Sequence, residues 1–298
     1  MKYGFLLTVA AFTLIVASTT GWSQVGQSPA TISVHFALKA GQQPVTCGVA
    51  LSDLGISHVG GKLRDARLYV SQVMLINAAG EMILLKLSPN DWQLPEVALL
   101  DFEDGSDSCR NGTPAINQDI IGTAPAGSYK GISFVIGVPD ALNHTSTETA
   151  AAPLDIGAMA WNWQAGRKFL KVEVEPEGGI ALPANRRATA WFVHIGSTGC
   201  IGNPAGNDTV RCAKSNRIGV AFPNFDPKSQ QIVFDLAELY RGTDLNRENG
   251  EAVGCMSSPT DKDCVQTFAR LGLPLGVEGA KPQSGEVNPS ILRVESKP

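Results

Sequence analysis

Between Thr31 and Ala40 the chain reads TISVHFALKA. Its apolar residues recur at every second position, with Ile32, Val34, Phe36 and Leu38 on one side of an extended strand and Ser33, His35 and Ala37 on the other. GISFVIGV repeats the pattern with Ile132, Phe134, Ile136 and Val138. KFLKVEVEPE sets Leu170, Val172 and Val174 against Lys171, Glu173 and Glu175. In WFVHIGSTGC, Trp191, Val193 and Ile195 share one face, and Phe192 and His194 lie on the other. Such alternation predicts half-buried antiparallel strands. ARLYVSQVML and EMILLKL flank Asn77-Ala78-Ala79-Gly80 and predict a hairpin. The 31 glycines and 18 prolines interrupt the apolar runs too often for strand-helix-strand units. The expectation is an all-β, antiparallel β-sandwich forming one domain.

Helical patterns are short and late. FDLAELY offers Asp235 as a cap, and DKDCVQTFARLG ends at Gly272. From about Pro274 the periodicity fades, which predicts an extended C-terminal tail.

At the other end, Lys2 precedes an apolar run from Phe5 to Val16 and then small and polar residues, the form of a secretory signal. Cleavage is expected after Ser23, leaving a mature domain over 24–298, with Ser18 as the second choice. The run is short for a membrane span, and no cysteine near its end could take a lipid. No membrane insertion is therefore expected after cleavage, and the mature chain is expected to be a monomer. The formal charge of −4 falls by one more with Lys2, which leaves no electrostatic reason to expect a nucleic-acid partner. Six cysteines in an exported chain suggest three disulfides. Short loops favour Cys200 with Cys212 and Cys255 with Cys264, leaving Cys47 with Cys109, though spacing alone permits other connectivities.

Candidate chemistry rests on few residues. There are four histidines, His35, His58, His144 and His194, and none forms an H-E-x-x-H pair, so imidazole ligands would have to converge from separate strands and loops. No G-x-S-x-G elbow supports nucleophilic hydrolysis. The acidic clusters LDFEDGSDS and DLNRENGE miss calcium-loop spacing and read as solvated loops. MAWNWQAGRKF places Trp161 and Trp163 two apart, on one side of a segment read as extended. Three uses are open to that pair: core packing, a stacking platform for carbohydrate in a binding or adhesion module, or one-electron oxidation.

GVPDALNH, WNWQAGRKF and HIGSTGC, together with VTCGVALSDLG, LYVSQVMLINAAGE and GCMSSPTDKDC, resemble the metallo-mystery-pair four-Cys-motif proteins, the MbnP-like periplasmic copper-binding family. The resemblance runs from about Ile32 to Leu273. It implies a non-catalytic copper protein of a copper-homeostasis system. Its partner would be a di-haem, MauG-like peroxidase that oxidises one tryptophan to kynurenine. It also implies that His144 and His194 are the recurrent histidines and that Trp161 and Trp163 form the double tryptophan. Trp92, in the loop-like NDWQLPE, is the reserve candidate for oxidation. His35 is an additional candidate ligand from strand geometry, and Met256 is a candidate soft ligand for Cu(I). Arg167 stands where the family often has an aromatic, a change expected on the partner-facing surface.

Overall fold

The computed structural model describes residues 1, 28–162, 164–203, 209–275 and 289–298. The expected signal segment and Trp163 lie outside the described residues. The fold is a sandwich of two sheets with short peripheral helices. The smaller sheet runs in the order Leu292–Ser296, Gln230–Asp235, Pro29–Ala40, Asp119–Pro125, Lys86–Leu87. The larger runs Ile218–Phe222, Tyr129–Ile136, Val59–Asn77, Leu170–Pro176, Trp191–Ile195, Gly254–Cys255.

Val59–Asn77 is the spine of the larger sheet. One edge pairs with Leu170–Pro176 and then Tyr129–Ile136. The opposite edge takes Ala50–Leu54, Val97–Asp101 and Met82–Leu84. Within the otherwise antiparallel sandwich two pairings run parallel, Pro29–Ala40 with Gln230–Asp235 and Trp191–Ile195 with Gly254–Cys255. In both cases the partner returns from far along the chain, so no tight hairpin imposes the antiparallel sense.

The predicted faces meet in the core. Val34, Phe36 and Leu38 pack from the small sheet against Trp191, Val193, Ile195 and Phe134 from the large one. Phe36 and Phe134 cross edge to face at 5.7 Å between centroids, the favoured aromatic geometry. A second apolar cluster lies on the outer face of the large sheet. There Tyr69, Leu99 and Phe169 are covered by Val138, Leu154 and Met159 from the long connection after Tyr129–Ile136.

The hairpin at Asn77 forms, with Asn77 N–H donating to Glu81 O at 3.0 Å. The apolar run after it crosses between sheets: Met82–Leu84 pairs with the large sheet, whereas Lys86–Leu87 pairs with Asp119–Pro125 of the small one. Asp235 caps Leu236–Tyr240 by accepting from Ala237 N at 2.9 Å. The three disulfides are Cys47–Cys109, Cys200–Cys212 and Cys255–Cys264. Among the described residues beyond Pro274, Leu292–Ser296 is an edge strand on Gln230–Asp235, anchored by the buried Ile291 and Leu292.

Trp191 is wholly enclosed at the sheet interface. Trp191→Ala should therefore cost ~3–5 kcal/mol of stability, read as a lowered urea midpoint at unchanged slope.

Candidate metal centre

His194 leaves its strand on the outer face, opposite Trp191, Val193 and Ile195, yet it is only 6% exposed. Its Nε2–H donates to Glu173 Oε1 at 2.9 Å. Glu173 lies on the neighbouring strand, where Lys171 is paired directly with His194. Lys171 Nζ is 2.9 Å from the same carboxylate oxygen, and Arg64 Nε is 3.1 Å from the other. The row of buried charge continues inward. Lys171 and Arg67 both bond Asp65, and Arg67 reaches Glu103 at 3.6 Å and Asp101 at 4.0 Å.

Burial by itself would raise the Glu173 carboxyl. The hydrogen bond from His194 and the ammonium of Lys171 outweigh that and hold it down at about 2. Burial presses the His194 pKa below its ordinary value despite Glu173, so the ring is neutral. With its proton on Nε2, held by the carboxylate, the lone pair sits on Nδ1, which makes no hydrogen bond among the described residues. A histidine oriented in this way by a carboxylate is the usual support for a metal ligand. At the far end of the row, burial pushes Asp101 up to about 7 against the pull of Arg67, with Glu103 adding to the rise.

Just past Ile195 the chain is met by three other segments. Gly196 shares the face of His194, one pleat step along, and a Cβ there would stand 2.4 Å from Cζ3 of Trp161. The indole thus lies in the space that a side chain at 196 would fill, beside His194. Trp161 belongs to a tight turn and not to an extended run, because Trp161 N–H donates to Gly166 O and Gly166 N–H to Asn162 O, both at 3.0 Å. Gly166, at φ +83°, makes that turn possible. Its expected companion, Trp163, lies outside the described residues.

His144 follows the short helix Asp140–Asn143 and is 9% exposed. Asn143 Nδ2 donates to His144 Nε2 at 3.1 Å and lies 3.5 Å from Ser197 Oγ, while Asn143 Oδ1 accepts from Arg167 N at 2.9 Å. One amide therefore ties the His144 loop to the turn behind Trp161 and to the residue following Gly196. Arg167 completes the tie. Its guanidinium donates to Leu142 O at 2.6 Å, Asn143 O at 3.0 Å and Leu154 O at 2.7 Å. At 1% exposure Arg167 is an internal clamp, which corrects its expected place on a docking surface.

Met256 joins the same edge. The parallel register pairs Val193 with Cys255, and the next step puts Met256 level with His194. Ser257 fixes that alignment by donating to His194 O and accepting from Gly196 N, each at 3.0 Å.

The remaining candidates sit elsewhere. His35 projects from the outer face of the small sheet toward Asp119 at 3.2 Å, across the sandwich from His194, so the two do not converge. That corrects its candidacy as a ligand. His58 is exposed and bonds Asp53. Trp92 is half-buried against the second apolar cluster. Among the described residues, two groups of donor atoms lie within 4.8 Å of one another, His144 with Cys200 and Cys212, and Glu103 with Cys47 and Cys109. In both, each sulfur is committed to a disulfide, so no thiolate is on offer in the oxidised protein.

An imidazole whose Nδ1 makes no hydrogen bond among the described residues is a donor that suits copper, whereas calcium and magnesium require oxygen cages. The fold is a disulfide-closed β-sandwich that carries candidate transition-metal ligands. The chain belongs to the MbnP family, whose model matches residues 29–257. It is 40% identical to MbnP from Methylosinus trichosporium, with a TM-score of 0.83 over 90% of this chain and 99% of that one. No curated protein matches. It is accordingly a periplasmic copper-binding protein, a metal carrier and not an enzyme.

Glu173 and Asp101 should shape the pH dependence of stability in opposite directions. With its folded pKa depressed to about 2, Glu173 contributes stability above about 4.5 that is lost as pH falls toward 2, and Glu173→Gln should remove this loss. Asp101, raised from 3.8 to about 7, costs stability progressively across that interval. Urea midpoints should show Asp101→Asn gaining on the parent between those pH values and holding a constant lead above.

Proposed function

We propose that copper is held at the end of the outer face by Nδ1 of His194 and by His144, with Met256 as the soft ligand at the same edge. Trp161 is then the indole oxidised to kynurenine by a di-haem peroxidase partner. The observation that carries this reading is the indole lying over Gly196, on the face and at the end of the strand that present His194. The peroxidase would remove four electrons and four protons while water supplies oxygen to C2 and C3, opening the indole C2–C3 bond to an N-formyl ketone. Its hydrolysis releases C2 as formate and leaves an aryl amine, a further nitrogen donor for the metal. Glu173 keeps the His194 proton on Nε2. Asn143 and Arg167 hold the His144 loop against the Trp161 turn, and Ser257 holds the Met256 segment against His194. Trp161 is half-buried, so its ring is open both to electron transfer toward an external oxidant and to the water that supplies oxygen.

Copper bound reversibly in this way serves storage or delivery in copper homeostasis. His144→Ala and His194→Ala should each weaken copper binding more than Glu173→Gln, for which a loss of ~10–100-fold is expected. Competition with a chromophoric chelator measures all three. Binding unchanged in the double histidine variant would overturn the assignment. On co-expression with the peroxidase, peptide mass spectrometry should find kynurenine at Trp161 and none in Trp161→Phe. Kynurenine at Trp163 or Trp92 instead would move the oxidised position.

A further inference from the structure

The Cys200–Cys212 disulfide stands apart from the other two. Cys255 and Cys264 are fully enclosed and the half-exposed Cys47 is bonded to the enclosed Cys109, whereas Cys200 and Cys212 are both half-exposed. They face each other across a two-stranded ribbon, Thr198–Ile201 with Arg211–Lys214, that pairs with neither sheet, so opening the bond leaves the core intact. His144 Nε2 lies 3.5 Å from Cys212 Sγ, and its lone pair is marked by the hydrogen bond it accepts from Asn143. The imidazole nitrogen and both sulfurs lie within 4.8 Å of one another.

We propose that this disulfide is a redox gate on the protein's copper coordination. A dithiol of the thioredoxin-fold class opens it, and the released Cys200 and Cys212 join His144 in a trigonal, sulfur-rich site for Cu(I). The reductant's thiolate attacks one sulfur to form a mixed disulfide, and its second thiol displaces the protein. The reductant leaves as its own disulfide, and the chain gains two electrons and two protons. Cu(I) then replaces the two thiol protons and keeps its oxidation state throughout. Two thiolates and an imidazole are a soft donor set that favours Cu(I) over the borderline imidazole and thioether set available when the bond is closed. The gate rests on His144 as a copper ligand and is independent of which tryptophan is oxidised.

The test uses the full mature protein. Under graded dithiothreitol, alkylation and peptide mapping should label Cys200 and Cys212 before the other four cysteines. The reduced protein should then bind Cu(I) at least ~10-fold more tightly than the oxidised protein in competition with a bathocuproine chelator, and should show a near-ultraviolet thiolate-to-copper charge-transfer band. Cys200→Ser with Cys212→Ser should lose both the gain and the band. Should that variant fail to fold, parent protein alkylated only at these two positions serves in its place. Equal labelling of all three disulfides, an unchanged affinity, or a gain that survives blocking would each overturn the gate. His144→Ala separates the two readings. Weaker copper binding by the oxidised variant, with no reduction-dependent gain in the parent, would sink the gate and leave the closed site standing. Unchanged binding by the oxidised variant, with the gain intact in the parent, would sink His144 as a ligand of the closed site only.

Discussion

The structure hangs on the pairing of one long strand, Val59–Asn77, along both edges. Every other strand of the large sheet except the outer Ile218–Phe222, Gln93–Leu94, Trp191–Ile195 and Gly254–Cys255 bonds to it directly. Its inner face supplies Leu63, Leu68 and Val70 to the sandwich core. Its outer face presents Asp65, Arg67 and Tyr69, and that difference sets the character of everything laid over it. At the tyrosine the cover is apolar. At the charged residues, the loops close over a row of ion pairs ending at His194.

Burying that row is costly unless each charge is matched, because desolvation of an ion in a protein interior amounts to several kcal/mol. The matching is nearly complete at Glu173, which receives Lys171, Arg64 and the His194 N–H, and it is poorest at Asp101, whose Oδ2 accepts no hydrogen bond. The two carboxyls are displaced in opposite directions for that reason. At the metal end, the consequence is a neutral imidazole of fixed tautomer before any ligand arrives. Arg167 shows the other way to bury a cation. Among the described residues it has no carboxylate within ion-pair distance, and it is held by backbone carbonyls, which ties its position to the loop that carries His144.

Much of this was legible from alternation and turn residues. The strand faces, the hairpin at Asn77, the cap at Asp235 and the separation of Trp191 from His194 follow from periods and cap chemistry that are local to the chain. In MAWNWQAGRKF the turn residues Gln164 and Ala165 leave no break in composition before Gly166, so the pattern does not mark where the segment reverses. The parallel pairings were invisible, since strand direction across a long connection is settled by which sheet edge is left open. Glu173, Asn143, Gly196 and Ser257 were overlooked as parts of the site. Each is an ordinary strand or loop residue whose role comes from its neighbours, and only the HIGS tetrad hinted at a position where something else must approach the backbone.

His35 and His194 draw the boundary most clearly. Both sit at outward positions of alternating strands, and the sequence by itself determined that much for each, because side-chain parity is a property of the extended backbone. Which outward face would be covered was decided only in three dimensions. The loops carrying His144, Trp161 and Met256 are long enough to fold over the large sheet, and their backbone groups find partners there in Asn143, Arg167 and Ser257. Among the described residues no such loops close over His35, which keeps its place, partly exposed, beside Asp119. The metal site is thus a property of covering and not of pattern, since burial of a polar face depends on distant segments that no local period encodes.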